Sequence, residues 1–369
     1  MAALSVMSPN TIGATGAGRQ NAGNVPRTWQ GVGVRTLLVP ATVALLVGGL
    51  VQSGAGAAVV PPPERAAPLA STGYVLGSAS DSLVARDAHG LATLGVDGVS
   101  LARDGASASA PDADLTRLLG TAHTNGLRAE LLLSNYSNRL GDFDPKAAAK
   151  LLRHPDRVQA VAAQLASYAS TQGWDGIQVD LESMSTKDAD GLLMLVQELQ
   201  ARMAPEKSVS IAVMASTDLD EYAERGYRLA ELGQAVDTMA LMTYDQHGPG
   251  WSGPGPVGAR KWQLASVRTL TTQVPASKVD LGVAGYGYTW PTNGLGRTVT
   301  VAQARKLVAR DDAKAHWKKG PGEWTARLSD GTRMWWSDGR SYALRLEMAT
   351  AAGLHGLALW RLGSADPLP

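Results

Sequence analysis

The feature that most limits the folds open to this chain is a regular alternation of short apolar runs with longer amphipathic segments after residue 70. Strand-length apolar runs recur eight times, separated mainly by stretches with apolar residues at helical spacing. Such a pattern forms either an open doubly wound sheet or a closed barrel, and eight repeats favour an α/β (β/α)8 TIM barrel. The predicted strands are Gly73–Gly77, Leu94–Val99, Arg128–Leu133, Gly176–Glu182, Ser208–Met214, Thr238–Tyr244, Val279–Ala284 and Gly356–Trp360.

The seventh and eighth predicted strands are separated by about seventy residues, more than a single helix requires. Thr298–Arg310 has a helical pattern, and two short runs, Trp324–Leu328 and Arg333–Trp336, flank a hairpin turn at Ser329-Asp330-Gly331. We therefore expect a small α+β insertion at about residues 291–340. Barrels carry such insertions on the loop face that holds the active site.

The first seventy residues have the composition of a targeting region rather than of a packed domain. Residues 1–34 are rich in Gly, Ala, Asn and Ser without apolar periodicity, which predicts a disordered cytoplasmic tail. No residue from Thr36 to Ala58 is charged, so residues 35–58 are expected to be an uncleaved membrane anchor or a signal peptide cleaved near Ala55-Gly56-Ala57. Residues 59–69 contain three consecutive prolines and predict a stiff linker. The upstream arginines then place the functional domain, residues 70–369, outside the cytoplasm, at the cell membrane or secreted.

Composition excludes several classes of function. The net charge of +1 gives no reason to expect a nucleic-acid partner. The absence of cysteine rules out a thiolate nucleophile and a cysteine-ligated zinc. His247, His316 and His355 share no metal-ligand spacing, so we expect surface or loop histidines, no metal and no cofactor.

The most informative segment is the fourth predicted strand. Side chains alternate along a strand, so Gln178, Asp180 and Glu182 share the face turned to the barrel interior, and the two carboxylates lie roughly 6–7 Å apart. Two carboxylates held close in a low-dielectric wall raise one pKa, which leaves one protonated acid and one charged partner. That pair is what cleavage of an acetal requires. A structural cluster of ion pairs is the alternative interpretation.

Ordered motifs continue this pattern along the chain. Asp175 to Glu182 reads D-G-x-x-x-D-x-E, with Asp175 and Gly176 at its start. Met242-Thr243-Tyr244-Asp245 ends the sixth predicted strand, Gly287-Tyr288-x-Trp290 follows the seventh, and Trp360 ends the eighth.

Over roughly residues 73–367 these motifs resemble glycoside hydrolase family 18, the chitinase and N-acetylglucosaminidase group. The segment Trp251 to Val257 resembles a loop of the bacterial branch that acts on peptidoglycan and spore cortex. The resemblance implies a monomeric glycosidase that hydrolyses β-1,4 linkages of N-acetylglucosamine-containing glycan, with peptidoglycan favoured over chitin. Gln178 departs from the family pattern, because an Asp there shares a proton with Asp180 whereas a Gln only forms hydrogen bonds. Relatives directed at peptidoglycan often carry an amide at this place.

The family resemblance also implies a role for each residue in a substrate-assisted retaining mechanism. Glu182 would protonate the leaving oxygen, and the substrate's own acetamido oxygen would attack. Asp180 would accept the acetamide N–H, and Tyr244 would donate to the acetamide oxygen. The implied substrate-binding residues are Gln178, Met242, Asp245, Tyr288, Trp290, Trp360 and Trp251, while Asp175 and Gly176 are structural.

Two other functions remain open from the sequence. A barrel of this kind can serve as a non-catalytic glycan-binding module, although this chain keeps Glu182, Asp180 and Tyr244. A structural envelope protein is the third possibility, and it leaves the pattern of acid, tyrosine and tryptophan at three strand ends unexplained. Trp251, Trp290 and Trp360 would then be ordinary core residues.

Overall fold

The computed structural model describes residues 69–369, so the predicted tail, the predicted span at 35–58 and all but the last residue of the predicted linker lie outside the described residues. Within 69–369, none of the helices has the length and apolar character needed to cross a bilayer. The first strand begins at Ala70.

Eight parallel strands close into a barrel in the order β1-β15-β9-β8-β7-β6-β3-β2. The predicted TIM barrel is therefore confirmed. The fifteen strands of the described region are β1 Ala70–Leu76, β2 Thr93–Ser100, β3 Arg128–Ser134, β4 Tyr136–Ser137, β5 Asp142–Phe143, β6 Gly176–Asp180, β7 Ser208–Met214, β8 Thr238–Met242, β9 Val279–Ala284, β10 Tyr286–Trp290, β11 Thr298–Thr300, β12 His316–Lys318, β13 Glu323–Arg327, β14 Arg333–Trp336 and β15 Gly356–Trp360.

Most of the helices form a layer around the barrel and bury their apolar stripes against the outward side chains of the strands, such as Ile177 and Val179. Side-chain caps fix several helix starts: Asp112 accepts from the Leu115 N–H at 3.0 Å before α2, and Asp338 accepts from two N–H groups before α10. The helices are α1 Asp81–Asp87, α2 Ala113–Thr124, α3 Pro145–Leu152, α4 Pro155–Gln172, α5 Ala189–Arg202, α6 Leu219–Glu224, α7 Leu229–Ala235, α8 Arg260–Leu270, α9 Val301–Arg310 and α10 Gly339–Ala351.

The strand that carries the acidic motif ends earlier than its sequence pattern predicts, at Asp180 rather than Glu182. The cause is Asn135, which follows β3. Its side-chain oxygen accepts from the Glu182 N–H and its amide donates to the Glu182 carbonyl, both at 2.9 Å. These bonds take the backbone of Glu182 out of the sheet ladder.

The predicted α+β insertion between the seventh and eighth barrel strands is present, as an antiparallel sheet in the order β11-β10-β14-β13-β12 packed against α9. Its first strand begins at Tyr286, only two residues after β9 ends. The predicted helix at Thr298–Arg310 splits, because Thr298–Thr300 pairs with β10 as an edge strand. Thr300 then caps α9 through a reciprocal pair of bonds with Gln303.

Candidate active site

Two cavities at the carboxyl end of the barrel share Asp245 in their walls. One, the Trp360 cavity, has a volume of about 270 Å³ and is lined by Trp360. The other, the Glu182 cavity, has a volume of about 360 Å³. A narrower space of about 20 Å³, with Asp180 in its wall, shares Trp360 with the first cavity and Tyr244 with the second. The three predicted catalytic side chains thus line neighbouring cavities: Asp180 and Tyr244 share the narrow one, and Glu182 and Tyr244 share the Glu182 cavity.

Glu182 is half-buried on the wall of the larger cavity, and Asn135 holds its backbone on both sides. Burial raises the pKa of Glu182 well above its ordinary value, and the nearby carboxylates of Asp180 and Asp245 raise it further. The Arg225 guanidinium acts in the opposite direction. The raised pKa favours the protonated form of Glu182, which is the form that a general acid requires.

Asp180 is buried at the end of β6, and its Oδ1 atom has no hydrogen-bond partner among the described residues. Burial and then the negative charge of Asp97 raise the pKa of Asp180 to about 7. An unpaired buried acceptor is costly unless a ligand supplies a donor. Asp180 is therefore placed to accept a hydrogen bond from a bound molecule.

Tyr244 lies just beyond β8 and lines the Glu182 cavity. Its ring meets that of Tyr286 edge to face at 6.4 Å. Burial raises the pKa of the Tyr244 hydroxyl well above its usual value, so the group remains a hydrogen-bond donor across the physiological range.

Asp245 adopts a left-handed backbone conformation, with φ 57°. Its Oδ1 atom accepts two short hydrogen bonds, from the Tyr286 hydroxyl at 2.5 Å and the Tyr288 hydroxyl at 2.6 Å. Burial raises the pKa of Asp245, while the two hydroxyls lower it. The first strand of the insertion thereby fixes a carboxylate that borders both cavities.

The predicted sugar-binding residues fall at different depths. Trp360 packs against Tyr74 with ring centroids 5.7 Å apart and lines the Trp360 cavity. Met242 lines the Glu182 cavity. Gln178 lies deeper in the barrel, where its amide donates to Ser210 Oγ at 3.1 Å.

Three of the predicted aromatic contacts form a cluster beside the cavities. Tyr288 meets Trp251 at 5.6 Å and Trp290 at 6.0 Å, both edge to face. Trp290 Nε1 donates to the Ser252 carbonyl at 3.1 Å, which ties the loop after β8 to the insertion. Only Tyr288 of the three also lines the Trp360 cavity.

Asp175 and Gly176 lie at the opposite end of β6 from the cavities. Asp175 Oδ2 accepts from the Ala129 N–H and contacts His123 Nε2, both at 2.8 Å. A Cβ on Gly176 would lie 2.3 Å from Ser208 Oγ, so only glycine fits there. Both residues support the barrel and neither contacts the cavities.

Several residues of the site escaped sequence reasoning. Tyr286 has the same strand parity as Tyr288, and that alternation could have revealed it. Asn135 belongs to no recognisable sequence motif, because the residue that it holds, Glu182, is distant in sequence. Asp97 and Arg361 both line the Trp360 cavity, and burial raises the pKa of Asp97 to about 6.

No cluster of three or more histidine or acidic side chains in the described part of the chain has the geometry of a metal site. The polar side chains at the barrel mouth include carboxyl groups, tyrosine hydroxyls and the guanidinium groups of Arg225 and Arg361. A closed (β/α)8 barrel with a glutamate of raised pKa near a second buried carboxyl is the arrangement of a glycoside hydrolase.

Comparison with known proteins narrows this class. The sequence model described as glycosyl hydrolases family 18 matches residues 134–365, and the chain belongs to that family. The "Uncharacterized glycosylase YvbX" of Bacillus subtilis is 24% identical over 259 residues, covering 68% of this chain and 75% of that protein. The "Cortical fragment-lytic enzyme" of the same organism is 24% identical, over 75% of this chain and 66% of its own length.

Solved structures share the fold. The chitinase of Chromobacterium violaceum is 27% identical with a TM-score of 0.72, covering 81% of this chain and 95% of that one. The spore cortex-lytic enzyme SleL of Bacillus cereus has a TM-score of 0.71 at 19% identity, covering 80% of this chain and 71% of that one. At 19% identity, the similarity to SleL shows a shared fold and nothing more.

Proposed function

We propose that the chain hydrolyses β-1,4 linkages of an N-acetylglucosamine-containing glycan by substrate-assisted catalysis with retention of configuration. The observation that supports this most is that Asp180, Glu182 and Tyr244 line neighbouring cavities at the barrel mouth. They supply an acid of raised pKa, an unpaired buried acceptor and a phenol hydroxyl donor. These are the three groups needed to protonate a leaving oxygen and to hold an acetamide.

In the first step Glu182 gives its proton to the glycosidic oxygen. The acetamido oxygen of the sugar bonds to C1 as the C1–O bond breaks. Asp180 accepts the acetamide N–H and offsets the positive charge of the cyclic intermediate, while Tyr244 donates to the acetamide oxygen. In the second step the ionised Glu182 takes a proton from water as the water oxygen attacks C1. The bond between C1 and the acetamido oxygen breaks, which restores the acetamido group and leaves the sugar ring closed. Trp360 stacks beneath the reacting sugar.

Peptidoglycan is the proposed substrate in preference to chitin. One similar protein is named a cortical fragment-lytic enzyme and another the spore cortex-lytic enzyme SleL, and these names support a cell-wall glycan. The class V chitinase of Arabidopsis thaliana, 24% identical over 61% of this chain, keeps chitin as the alternative. An extracytoplasmic domain fits this choice, and the uncharged stretch from Thr36 to Ala58 supports export.

The mechanism predicts how product and substrate structure will behave. The full chain should release reducing ends whose first-formed anomer is β, detected by proton NMR within the first minutes. Replacing the 2-acetamido group of the reacting sugar by a free amine should lower kcat/KM by at least about 100-fold, because the nucleophile is lost.

The matched control for that experiment removes the acetyl group from a sugar distant from the cleaved bond, which should change the rate only slightly. An α-anomeric first product would exclude the mechanism. Glycan binding without any release of reducing ends would instead identify a non-catalytic binding module.

Asp97 provides a test through pH. Its negative charge raises the pKa of Asp180, which must be ionised to offset the positive charge of the cyclic intermediate. Asp97→Asn should therefore lower the pKa of Asp180 and move the acid limb of the kcat/KM profile to lower pH. The ratio of the rate at about pH 6.5 to that at pH 8 should rise, because Asp97 is largely ionised there, whereas near pH 5 its own pKa of about 6 leaves it mostly neutral. Asp190→Asn, at an exposed position, is the control, and an unmoved or upward-shifted acid limb would contradict the assignment.

A further inference from the structure

The Glu182 cavity contains one cationic side chain among its lining residues, Arg225, which directly follows α6. Arg225 is 32% exposed, yet its Nη1 atom is buried and has no hydrogen-bond partner in the described region. Its nearest acidic contact is Glu221, whose Oε2 lies 3.5 Å from Nη2. That same oxygen accepts a 2.6 Å hydrogen bond from Ser216. The guanidinium is therefore poorly paired.

Such a group needs a partner. A guanidinium presents five donors in a planar fork that matches a carboxylate, and leaving its donors unpaired in a partly buried wall is costly. The other titratable acidic lining residues, Glu182, Glu221 and Asp245, are carboxyl groups and offer no further cation. A neutral sugar offers no anion for Arg225. A sugar that carries a carboxylate offers one.

We propose that the Glu182 cavity binds the leaving sugar and that Arg225 selects a leaving sugar with a carboxylate. Trp262 in the same wall provides an aromatic face for the ring. In peptidoglycan every second sugar is N-acetylmuramic acid, which carries a lactyl carboxyl on O3, and this carboxyl is free where the stem peptide has been removed. The inference rests on the proposed function and narrows its substrate to peptide-free glycan with free lactyl carboxyls. The bond cleaved is the one that joins C1 of N-acetylglucosamine to the following N-acetylmuramic acid.

The experiment measures dissociation constants by calorimetry on the full chain carrying Glu182→Gln, because the neutral amide mimics the protonated acid and prevents cleavage. The probes are two tetrasaccharides of alternating N-acetylglucosamine and N-acetylmuramic acid, one with free lactyl carboxyls and one with these converted to primary amides. We expect the acidic tetrasaccharide to bind about 10- to 100-fold more tightly. Arg225→Gln should abolish the difference, and Arg225→Lys should keep part of it.

Arg228→Gln is the matched control, since Arg228 is exposed and paired with Asp190 and Glu231. It should leave the preference unchanged. Equal binding of the two tetrasaccharides, no binding of either, or an equal loss for both in Arg225→Gln would overturn the proposal. Failure of the proposed function is seen separately, as the absence of reducing ends when the native chain is given either tetrasaccharide.

Discussion

Glu182→Gln is expected to lower kcat for glycan hydrolysis by about 10²–10⁴-fold, because the amide cannot transfer a proton to the leaving oxygen. The substitution preserves shape and the backbone bonds to Asn135. Glycan binding and the free energy of unfolding should therefore change little. Reducing-end assays under saturating substrate give kcat, and thermal unfolding checks the fold.

A second substrate makes the assignment of the acid specific. A dinitrophenyl glycoside has a leaving group that needs little protonation, so Glu182→Gln should retain much more of its activity on it than on glycan. The basic limb of the native pH profile reports deprotonation of Glu182 and should disappear in the variant. Glu206→Gln, an exposed glutamate before β7, is the control. Native turnover in Glu182→Gln would refute the assignment.

Arg345→Met is expected to lower the free energy of unfolding by about 3–5 kcal/mol. Arg345 on α10 is only 1% exposed and donates to the carbonyls of Gly258 and Gly322 at 2.7 and 2.5 Å and to Gln263 at 3.1 Å. It also lies 3.4 Å from Glu323, which is equally buried. Removing the guanidinium leaves a buried carboxylate without its cation. Urea denaturation followed by tryptophan fluorescence measures the change.

The charge itself can be separated from the lost hydrogen bonds. Glu323→Gln in the Arg345→Met background removes the uncompensated charge and keeps an acceptor for one of the Val257 and Gly258 N–H groups, which now each donate to a different carboxylate oxygen at 2.8 Å. The buried unpaired charge costs more than the one hydrogen bond that is lost. The double variant should therefore be more stable than Arg345→Met alone. Arg268→Met, on the exposed face of α8, should change stability by no more than about 0.5 kcal/mol. If Arg345→Met lowered the free energy of unfolding by as little as this control does, the buried ion pair would contribute little to stability.

Much of the fold could be predicted because its signals are local. Each barrel strand is a compact apolar run, and the alternation along β6 correctly placed Asp180 and Gln178 inward. Strand ends were less predictable: Asn135 ends β6 before Glu182 through bonds between residues 47 positions apart, and no local pattern records such a pairing. Thr298 to Thr300 was wrongly included in the predicted helix: its three β-branched residues favour a strand, and they pair with the edge of β10.

The supporting residues of the site were hidden for the same reason. Arg345 lies on the buried face of α10 with Tyr342 and Met348, and its partners are spread over loops, α8 and β13, up to 87 positions away. Arg225 follows a short helix rich in acidic residues and reads as an ordinary surface charge. Their roles arise from which loops the closed barrel brings together.

The short connection between β9 and β10 has a consequence for how this enzyme family can diversify. Gly285 alone separates the last residue of one strand from Tyr286, so the insertion is fused rigidly to the barrel and delivers two phenol groups to Asp245. A relative that lost this insertion would leave the Asp245 carboxylate without its two phenol donors. Loss of the insertion therefore requires other hydrogen-bond donors for Asp245 at the same time. This favours retention of β10 and sequence variation in the more distant hairpins of the insertion.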